Sequence, residues 1–189
     1  LSTNLKIATS GPRRKAQLLG INSGFHIVPI RGNIQTRIDK MATEKLDGLV
    51  VAKAALNRLK ISHPNIYIFS EEEMLPAAAQ GAIGIEVIKE NIETKTNNLL
   101  ESINDNLTFE ATEIERTVVA ALQGNCLSPI SALCKIRDQN VELKVRVSNQ
   151  KGSEVYDQKE IFTLDNKIQA LEDFIEKLIS NGAKTLIQN

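Results

Sequence analysis

Aromatic side chains are scarce in this chain of 189 residues, and tryptophan is absent. Only 4% of the residues are aromatic, which disfavours nucleic-acid binding by stacking of bases on aromatic rings. No apolar run approaches the ~20 residues of a bilayer-spanning helix. Residues Leu1–Lys6 also lack the basic and then apolar pattern of a signal peptide. We therefore expect neither a nucleic acid nor a membrane as partner.

Cysteine and histidine are also too few for several kinds of site. The two cysteines, Cys126 and Cys134, lack CxxC spacing and cannot build a disulfide scaffold. Two isolated histidines define neither a metal site nor a catalytic triad, so we expect no metal. The sequence contains no P-loop and no GxGxxG motif. A reduced, cytoplasmic setting is the simplest prediction.

The composition is otherwise that of a globular protein, with 42% apolar and 24% charged residues. Its length allows one ordinary domain or two small ones. The net charge of zero hides an asymmetry: residues 1–60 contain eleven Lys or Arg and three acids, a net +8, and the remainder is −8. This basic first third indicates an anionic ligand or partner.

The first third alternates short apolar runs with helical patterns. The predicted strands are Leu5–Ala8, Phe25–Ile30, Leu49–Ala52 and Asn65–Ser70. The predicted helices are Arg13–Leu19, stopped by Gly20, then Ile34–Met41 and Ala54–Leu59. This alternation predicts a parallel sheet with helical crossovers, and ligands bind such sheets at the carboxyl ends of the strands.

The rest of the chain follows a different pattern after an irregular segment at 71–81. The spacing predicts a strand at Ile83–Ile88, helices at Asn91–Leu100 and Thr112–Leu122, and strands at Ile130–Ile136, Val141–Val147 and Glu154–Phe162. A long helix follows, with Asp165 as N-cap and Gly182 at its end. We therefore predict a doubly wound α/β domain followed by a small α+β domain with a three-stranded antiparallel sheet.

Arginines follow the predicted strand ends. Arg13 and Arg14 open the first helix, where positive charge is unfavourable for the helix itself and invites a functional explanation. The others are Arg31, Arg37 and Arg58. Guanidinium groups bind carboxylate or phosphate in a bidentate manner. The alternative is that these arginines are solvated surface charges.

Cys126 lies in a loop between a helix stop and a strand, where its thiol can be accessible and reactive. Cys134, inside a predicted strand, is typical of a small core residue. No histidine or acid near Cys126 in the sequence shows how its thiol would be activated, so a structural role remains open on the residues alone.

Four segments closely resemble motifs of the porphobilinogen deaminase (hydroxymethylbilane synthase) family, in the right order and spacing. Residues 9–18, TSGPRRKAQL, resemble its TSSLRRKAQL stretch, and residues 31–37, RGNIQTR, match RGNxxTR. Residues 75–86 resemble LPAVGQGAxGIE, and residues 122–130 resemble LEGGCxxPI. Departures from the pattern are Gly11-Pro12, Ala55, Ala79 and Asn125. The resemblance covers essentially the whole chain.

The resemblance implies an activity, a cofactor and a set of ligands. The family joins four porphobilinogen molecules into hydroxymethylbilane, releasing ammonia, on a dipyrromethane cofactor attached through a cysteine, here Cys126. The other implied cofactor-binding residues are Thr9, Ser10, Arg13, Arg14, Arg31, Asn33 and Arg37. Those implied for porphobilinogen and its oligomers are Arg13, Arg31, Arg37, Arg58 and Gln80. The fold implied for the α/β domain at the start of this chain is that of periplasmic binding proteins.

The resemblance also implies that the first domain of a three-domain enzyme is missing. We then expect an α/β domain at 1–75, a return segment and linker at 76–103, and an α+β domain at 104–189. The catalytic aspartate of the family would lie in the missing domain, since neither Asp39 nor Asp47 matches it, and this chain would be inactive alone. The return strand Ile83–Ile88 would be disordered, redocked or paired between chains, and the first domain could act as a separate partner.

Two other functions remain in competition. A non-catalytic binding module for small polycarboxylates would explain the arginines but not the Cys126 loop. A nucleic-acid-binding protein would explain the basic first third but lacks aromatic residues and any recognisable motif.

Overall fold

The computed structural model describes residues 4–88 and 93–188. Two small sheets organise these residues, one parallel and one antiparallel. In chain order the elements of the first part are β1 (Lys6–Ala8), α1 (Pro12–Ile21), β2 (His26–Val28), α2 (Ile34–Thr43), β3 (Gly48–Leu49) and α3 (Lys53–Arg58). Those of the second part are α4 (Thr94–Ile103), α5 (Asn106–Ala121), β4 (Ile130–Arg137), β5 (Asn140–Ser148), β6 (Val155–Thr163), α6 (Lys167–Ser180) and α7 (Ala183–Gln188).

The first sheet has the strand order β2-β1-β3, and both of its pairings are parallel. Ile7 lies opposite Ile27 on one side and Gly48 on the other. Helices α1 and α2 connect the strands, as parallel pairing requires. The predicted parallel α/β unit is therefore confirmed, and β1 is its central strand, with α1 beginning at its carboxyl end.

The predicted fourth strand, Asn65–Ser70, is wrong. These residues are irregular, and the aromatic rings of Tyr67 and Phe69 pack edge to face with centroids 5.1 Å apart. The Glu73 carboxylate accepts hydrogen bonds from the Ser70 backbone N–H at 2.8 Å and from the Tyr67 hydroxyl. The segment joins neither sheet, and its side chains instead make these local contacts.

The strand predicted at Ile83–Ile88 is also not formed, and these residues belong to neither sheet. Ile83 is 93% exposed and Ile88 is 73% exposed. Among the described residues this segment therefore pairs with no strand of either sheet. The start of the helix predicted at Asn91–Leu100 lies partly outside the described residues, and α4 occupies Thr94–Ile103.

The second sheet confirms the predicted antiparallel meander. Its order is β4-β5-β6, with Cys134 opposite Leu143 and Val145 opposite Gln158. Strand β5 alternates buried and half-buried residues, and its buried face packs with α5 and α6 around Val118 and Phe174. Cys134 is buried in this core, as its position in the sequence predicts.

Several helix ends differ from their prediction. Helix α1 continues past Gly20 to Ile21, and Asn22 is its C-cap. Asp165 lies in a 3-10 turn, so that it is not the N-cap of α6, which begins at Lys167. Gly182, in the left-handed region at φ +85°, does end α6, but an unpredicted helix α7 follows. None of the helices in the described ranges is long and apolar enough to span a bilayer.

The turn between β5 and β6 fits closely against α1. Gly152 is buried at φ +67°, and a Cβ atom added to it would lie 2.0 Å from the Ala16 carbonyl oxygen. Only glycine allows both this backbone conformation and this approach. The antiparallel sheet is thus in contact with the helix that follows β1.

Substitution Gly152→Ala is therefore expected to lower the free energy of unfolding by about 2–4 kcal/mol, through backbone strain and the clash with Ala16. The midpoint of urea-induced unfolding measures this change. Gly84→Ala is the matched control, because a Cβ at Gly84 would contact nothing within 4 Å. Equal midpoints for the two variants would contradict the close packing of the turn on α1.

Candidate functional site

A cleft of about 280 Å³ lies where the start of α1, the segment after Leu75 and the loop after α5 come together. We call it the thiol cleft. The side chains in its lining with polar or reactive groups are Arg13, Arg14, Gln80, Asn125, Cys126 and Ser128. Residues far apart in the sequence thus place two guanidinium groups and a thiol around one space.

A larger hollow of about 570 Å³ lies between α3 and residues 60–68. Half of its lining residues are polar, namely Lys53, Asn57, Lys60 and Ser62, and none of them is a predicted site residue. Size alone does not identify a functional site, and the thiol cleft has the more specific chemistry.

Arg13 and Arg14 owe their position to the turn from β1 into α1. Pro12 occupies the first helical turn, and Gly11 caps the helix without a side-chain hydrogen bond. Arg13 Nη1 donates to the Leu75 carbonyl oxygen, and Arg14 Nη1 donates to the Val50 carbonyl oxygen at 3.1 Å. Each bond uses one nitrogen of a guanidinium group that has five N–H donors, which leaves donors for a ligand.

These two guanidinium groups are partly desolvated and repel each other. Burial, and then the charge of Arg14, lowers the pKa of Arg13 to about 10. Burial, and then the charge of Arg37, lowers the pKa of Arg14. The ion pairs formed within residues 4–88 and 93–188 include none of the five predicted arginines. With a pKa of about 10, Arg13 is still protonated at neutral pH, and a bound anion would relieve the repulsion between these guanidinium groups.

The loop before α2 holds Arg37 near Arg14. Asn33 caps α2 by accepting from the Thr36 backbone N–H at 2.8 Å, and Arg37 Nε donates to the Gly32 carbonyl oxygen at 2.7 Å. Gly32 has φ +124°, and a Cβ there would lie 2.9 Å from Thr36 Cγ2. The Asn33 side-chain oxygen is thus engaged in capping. Arg31 is exposed on the same loop.

Thr9 and Ser10 follow β1 at the carboxyl end of the parallel sheet. The Ser10 hydroxyl accepts from the Ile30 backbone N–H at 2.9 Å and donates to the Ile30 carbonyl oxygen, joining the ends of β1 and β2. Thr9 is only 3% exposed, and its Oγ1 has no hydrogen-bond partner within the part of the chain that the structure describes. A buried hydroxyl of this kind is suited to a polar ligand.

Cys126 is exposed on a tight loop. The Asn125 side-chain oxygen accepts from the Leu127 backbone N–H at 2.8 Å, and Ser128 Oγ accepts from the Asn125 backbone N–H at 3.0 Å. These bonds fix the loop and leave the thiol at the cleft. The described residues contain no cluster of three or more His, Cys, Asp or Glu that could hold a metal ion.

The structure therefore brings together part of the predicted site. Arg13, Arg14, Gln80 and Cys126 line the thiol cleft, and Arg37 acts electrostatically on Arg14. The cleft lining does not include Thr9, Ser10, Arg31, Asn33 or Arg58. Sequence reasoning missed the buried polar residues Gln17 and Glu115 beside the cleft. Their hydrogen-bond partners are distant in the chain. The only signal in the sequence is that each is a polar residue within the apolar pattern of a helix.

Comparison with known proteins identifies two matching family models. Residues 1–96 match the model described as "Porphobilinogen deaminase, dipyromethane cofactor binding domain". Residues 109–174 match the model described as "Porphobilinogen deaminase, C-terminal domain".

Curated relatives carry the same name. The porphobilinogen deaminase of Campylobacter lari is 32% identical over 190 residues, covering 100% of this chain and 61% of that protein. That of Clostridium novyi is 39% identical over 158 residues, covering 82% of this chain and 52% of that protein. That of Clostridium acetobutylicum is 43% identical over 136 residues, covering 72% of this chain and 46% of that protein. The chain thus spans about half to three fifths of the length of these relatives.

The two cysteines should differ sharply in reactivity. Burial, followed by the charges of Glu115 and Glu110, raises the pKa of Cys134 to about 12, so at pH 8 only about one molecule in 10⁴ would hold the reactive thiolate. Iodoacetamide at pH 8 is therefore expected to add one label per unmodified chain, and peptide mass mapping should place it on Cys126. The urea-unfolded chain, as control, should take two. A label on Cys134 under native conditions would contradict its burial.

Proposed function

Because the chain belongs to the porphobilinogen deaminase family, we propose that it forms the oligopyrrole-binding part of a hydroxymethylbilane synthase. Such an enzyme joins four porphobilinogen units with release of ammonia. The observation that carries the proposal is that an exposed thiol and two partly buried guanidinium groups line the same cleft. A ligand tethered through sulfur and bearing carboxylates requires this combination of groups.

In this proposal the Cys126 thiol forms a thioether to a dipyrromethane cofactor. That group, when bound, supplies the pyrrole end to which porphobilinogen is added. The residues proposed to hold its acetate and propionate groups are Thr9, Ser10, Arg13, Arg14, Arg31, Asn33 and Arg37. The residues present fit such a group, because the thiol is exposed. Within the described residues, Arg13 and Arg14 form no ion pair and the buried Thr9 hydroxyl has no hydrogen-bond partner.

The chain's own contribution to the reaction is binding and electrostatic. Arg13, Arg31, Arg37, Arg58 and Gln80 are proposed to bind porphobilinogen and its oligomers. Each added unit brings further carboxylates, and a partly desolvated guanidinium group such as that of Arg13 attracts them more strongly than a fully hydrated side chain would. The low pKa of Arg13, about 10, still keeps it protonated at neutral pH.

No catalytic residue is assigned within these 189 residues. Asp39 accepts from Gln35 Nε2 at 2.9 Å, and Asp47 accepts from the Lys6 backbone N–H at 2.8 Å. Neither lines the thiol cleft. We propose that the carboxylate of the reaction comes from a further domain, which could be supplied as a separate segment, and that these residues alone do not turn over porphobilinogen.

The proposed function also requires a particular division of the chain into domains. We propose a doubly wound, periplasmic-binding-protein-like domain at 1–75, a return segment at 76–103 that would complete the further domain or pair between chains, and an α+β domain at 104–189. The gap between the two family models, 96 to 109, supports a boundary in this region. Two free cysteines, one exposed and needed as a thiol, support a cytoplasmic location.

A second candidate is a non-catalytic module that binds small polycarboxylates. The absence of ion pairs to Arg13 and Arg14 within the described ranges favours anion binding of either kind. The mass of the chain isolated from cells separates the two candidates. An adduct of dipyrromethane size on Cys126 supports the synthase, whereas a free thiol with equal affinity for citrate and porphobilinogen supports the module.

Binding of porphobilinogen, measured by isothermal titration calorimetry, tests the role of the arginines. Arg13→Gln should weaken binding about 10- to 100-fold, because a charge-assisted hydrogen bond is worth about 1.5–3 kcal/mol. Lys15→Gln is the matched control, since Lys15 is exposed on the same helix and the change in charge is identical. Equal losses in both variants would reduce the effect to general electrostatics and contradict a specific site at Arg13.

A further inference from the structure

One wall of the thiol cleft belongs to neither sheet. It is formed by residues 75–79, which we call the strap, whose Ala77 and Ala78 line the cleft. Leu75 is buried at 2% exposure, although no strand or helix includes it. The strap's backbone hydrogen bonds must therefore come from elsewhere, because buried backbone groups without partners are costly.

Gln17 binds one end of the strap. Its Oε1 accepts from the Leu75 backbone N–H at 2.8 Å, and its Nε2 donates to the Leu75 carbonyl oxygen at 3.0 Å. The same amide accepts from Arg146 Nη1 at 3.0 Å and donates to Ser131 Oγ at 3.2 Å. Gln17 is 6% exposed and lies one helical turn after Arg13 on α1. Gln17 thus connects α1, the helix that carries Arg13 and Arg14, to the strap and to strands β4 and β5 by hydrogen bonds.

Glu115 binds the other end. Its Oε2 accepts from the Ala79 backbone N–H at 2.6 Å, and its Oε1 accepts from the Cys134 backbone N–H at 2.7 Å. Glu115 is 5% exposed on α5, the helix that leads into the Cys126 loop. Ala79 has φ +56°, a conformation that costs a non-glycine residue energy and persists only when its surroundings hold it.

We propose that Gln17 and Glu115 are positioning residues which, by holding the two ends of the strap, fix the distance between the arginines on α1 and the thiol after α5. Each residue reaches from a different side of the cleft to the same five-residue segment. Hydrogen bonds define one geometry, whereas apolar contacts of the same area tolerate sliding. The inference concerns the shape of the cleft without ligand, so it can fail or hold independently of the proposed function.

The Glu115 carboxylate is suited to this role by its two oxygens. A glutamine has the same size but only one acceptor oxygen, and its NH₂ group would face one of the two backbone N–H donors. Burial raises the pKa of Glu115, while the bonds from Cys134 and Ala79 lower it. Glu115→Gln therefore releases the backbone N–H of either Ala79 in the strap or Cys134 in β4. Gln17→Met, at a similar side-chain length, releases the Leu75 backbone N–H, while the Leu75 carbonyl oxygen keeps its hydrogen bond from Arg13.

The test is the distance between two spin labels, measured by double electron–electron resonance on the full chain. Labels are placed at Lys15→Cys on α1 and Leu127→Cys beside the thiol, both exposed in the parent, in a Cys126→Ser background. Cys134 is buried and should remain unlabelled. The parent should give one narrow distance peak. Glu115→Gln and Gln17→Met should at least double its width or add a second peak, well below their unfolding temperatures.

Glu113→Gln is the matched control, because Glu113 is exposed on the same helix; it should leave the peak unchanged. A lower unfolding temperature with an unchanged peak in both test variants would show a merely structural role and overturn the proposal. Should a variant not fold, hydrogen exchange at the Ala79 and Leu75 amides of the parent decides. Protection of about 100-fold or more is expected, and exchange at the rate of a free peptide would overturn the proposal.

Discussion

The arrangement depends on keeping like charges close together in a partly desolvated place. Arg13 and Arg14 are adjacent at the start of a helix, where the helix dipole disfavours cations, and Arg37 adds to their repulsion. This proximity of like charges does not by itself stabilise the fold. Under the proposed function, the acidic groups of a ligand would relieve this repulsion, and the electrostatic cost would then contribute to binding. The backbone carbonyl oxygens of Leu75 and Val50 hold the two side chains in position meanwhile.

The two parts of the chain contribute different groups to the thiol cleft. The parallel sheet places the arginines at the carboxyl end of its central strand, which is where such sheets bind ligands. The antiparallel sheet and α5 present Cys126 on a rigid loop. Contact between the parts at Gly152 and through Gln17, Ser131 and Arg146 brings the two kinds of chemistry to one cleft. The chain belongs to the porphobilinogen deaminase family, and the ligand proposed for it, an oligopyrrole attached through sulfur, requires both the guanidinium groups and the thiol.

Sequence patterns predicted the elements whose periodicity is strong, such as the meander of β4, β5 and β6, the helices α1 and α2, and the part of α5 from Thr112 onward; α5 itself begins at Asn106. They failed at Asn65–Ser70, because strand formation needs a neighbouring strand to pair with, which a local pattern does not report, and this segment joins neither sheet. Arg13, Arg14 and Cys126 were identifiable from residue type and motif. Gln17 and Glu115 were not, because their roles depend on partners 58 and 36 residues away, and no local pattern reports such pairing.

We infer that the guanidinium groups of Arg13 and Arg14 act electrostatically on the space next to the Cys126 thiol. The most direct measurement is the ratio of the alkylation rates of Cys126 by iodoacetate, an anion, and by neutral iodoacetamide. We expect this ratio to exceed that of the urea-unfolded chain about 10-fold, an electrostatic preference of about 1.4 kcal/mol. It should fall on addition of salt and in Arg13→Gln and Arg14→Gln. A ratio equal to that of the unfolded chain would show that thiol and arginines do not share one site.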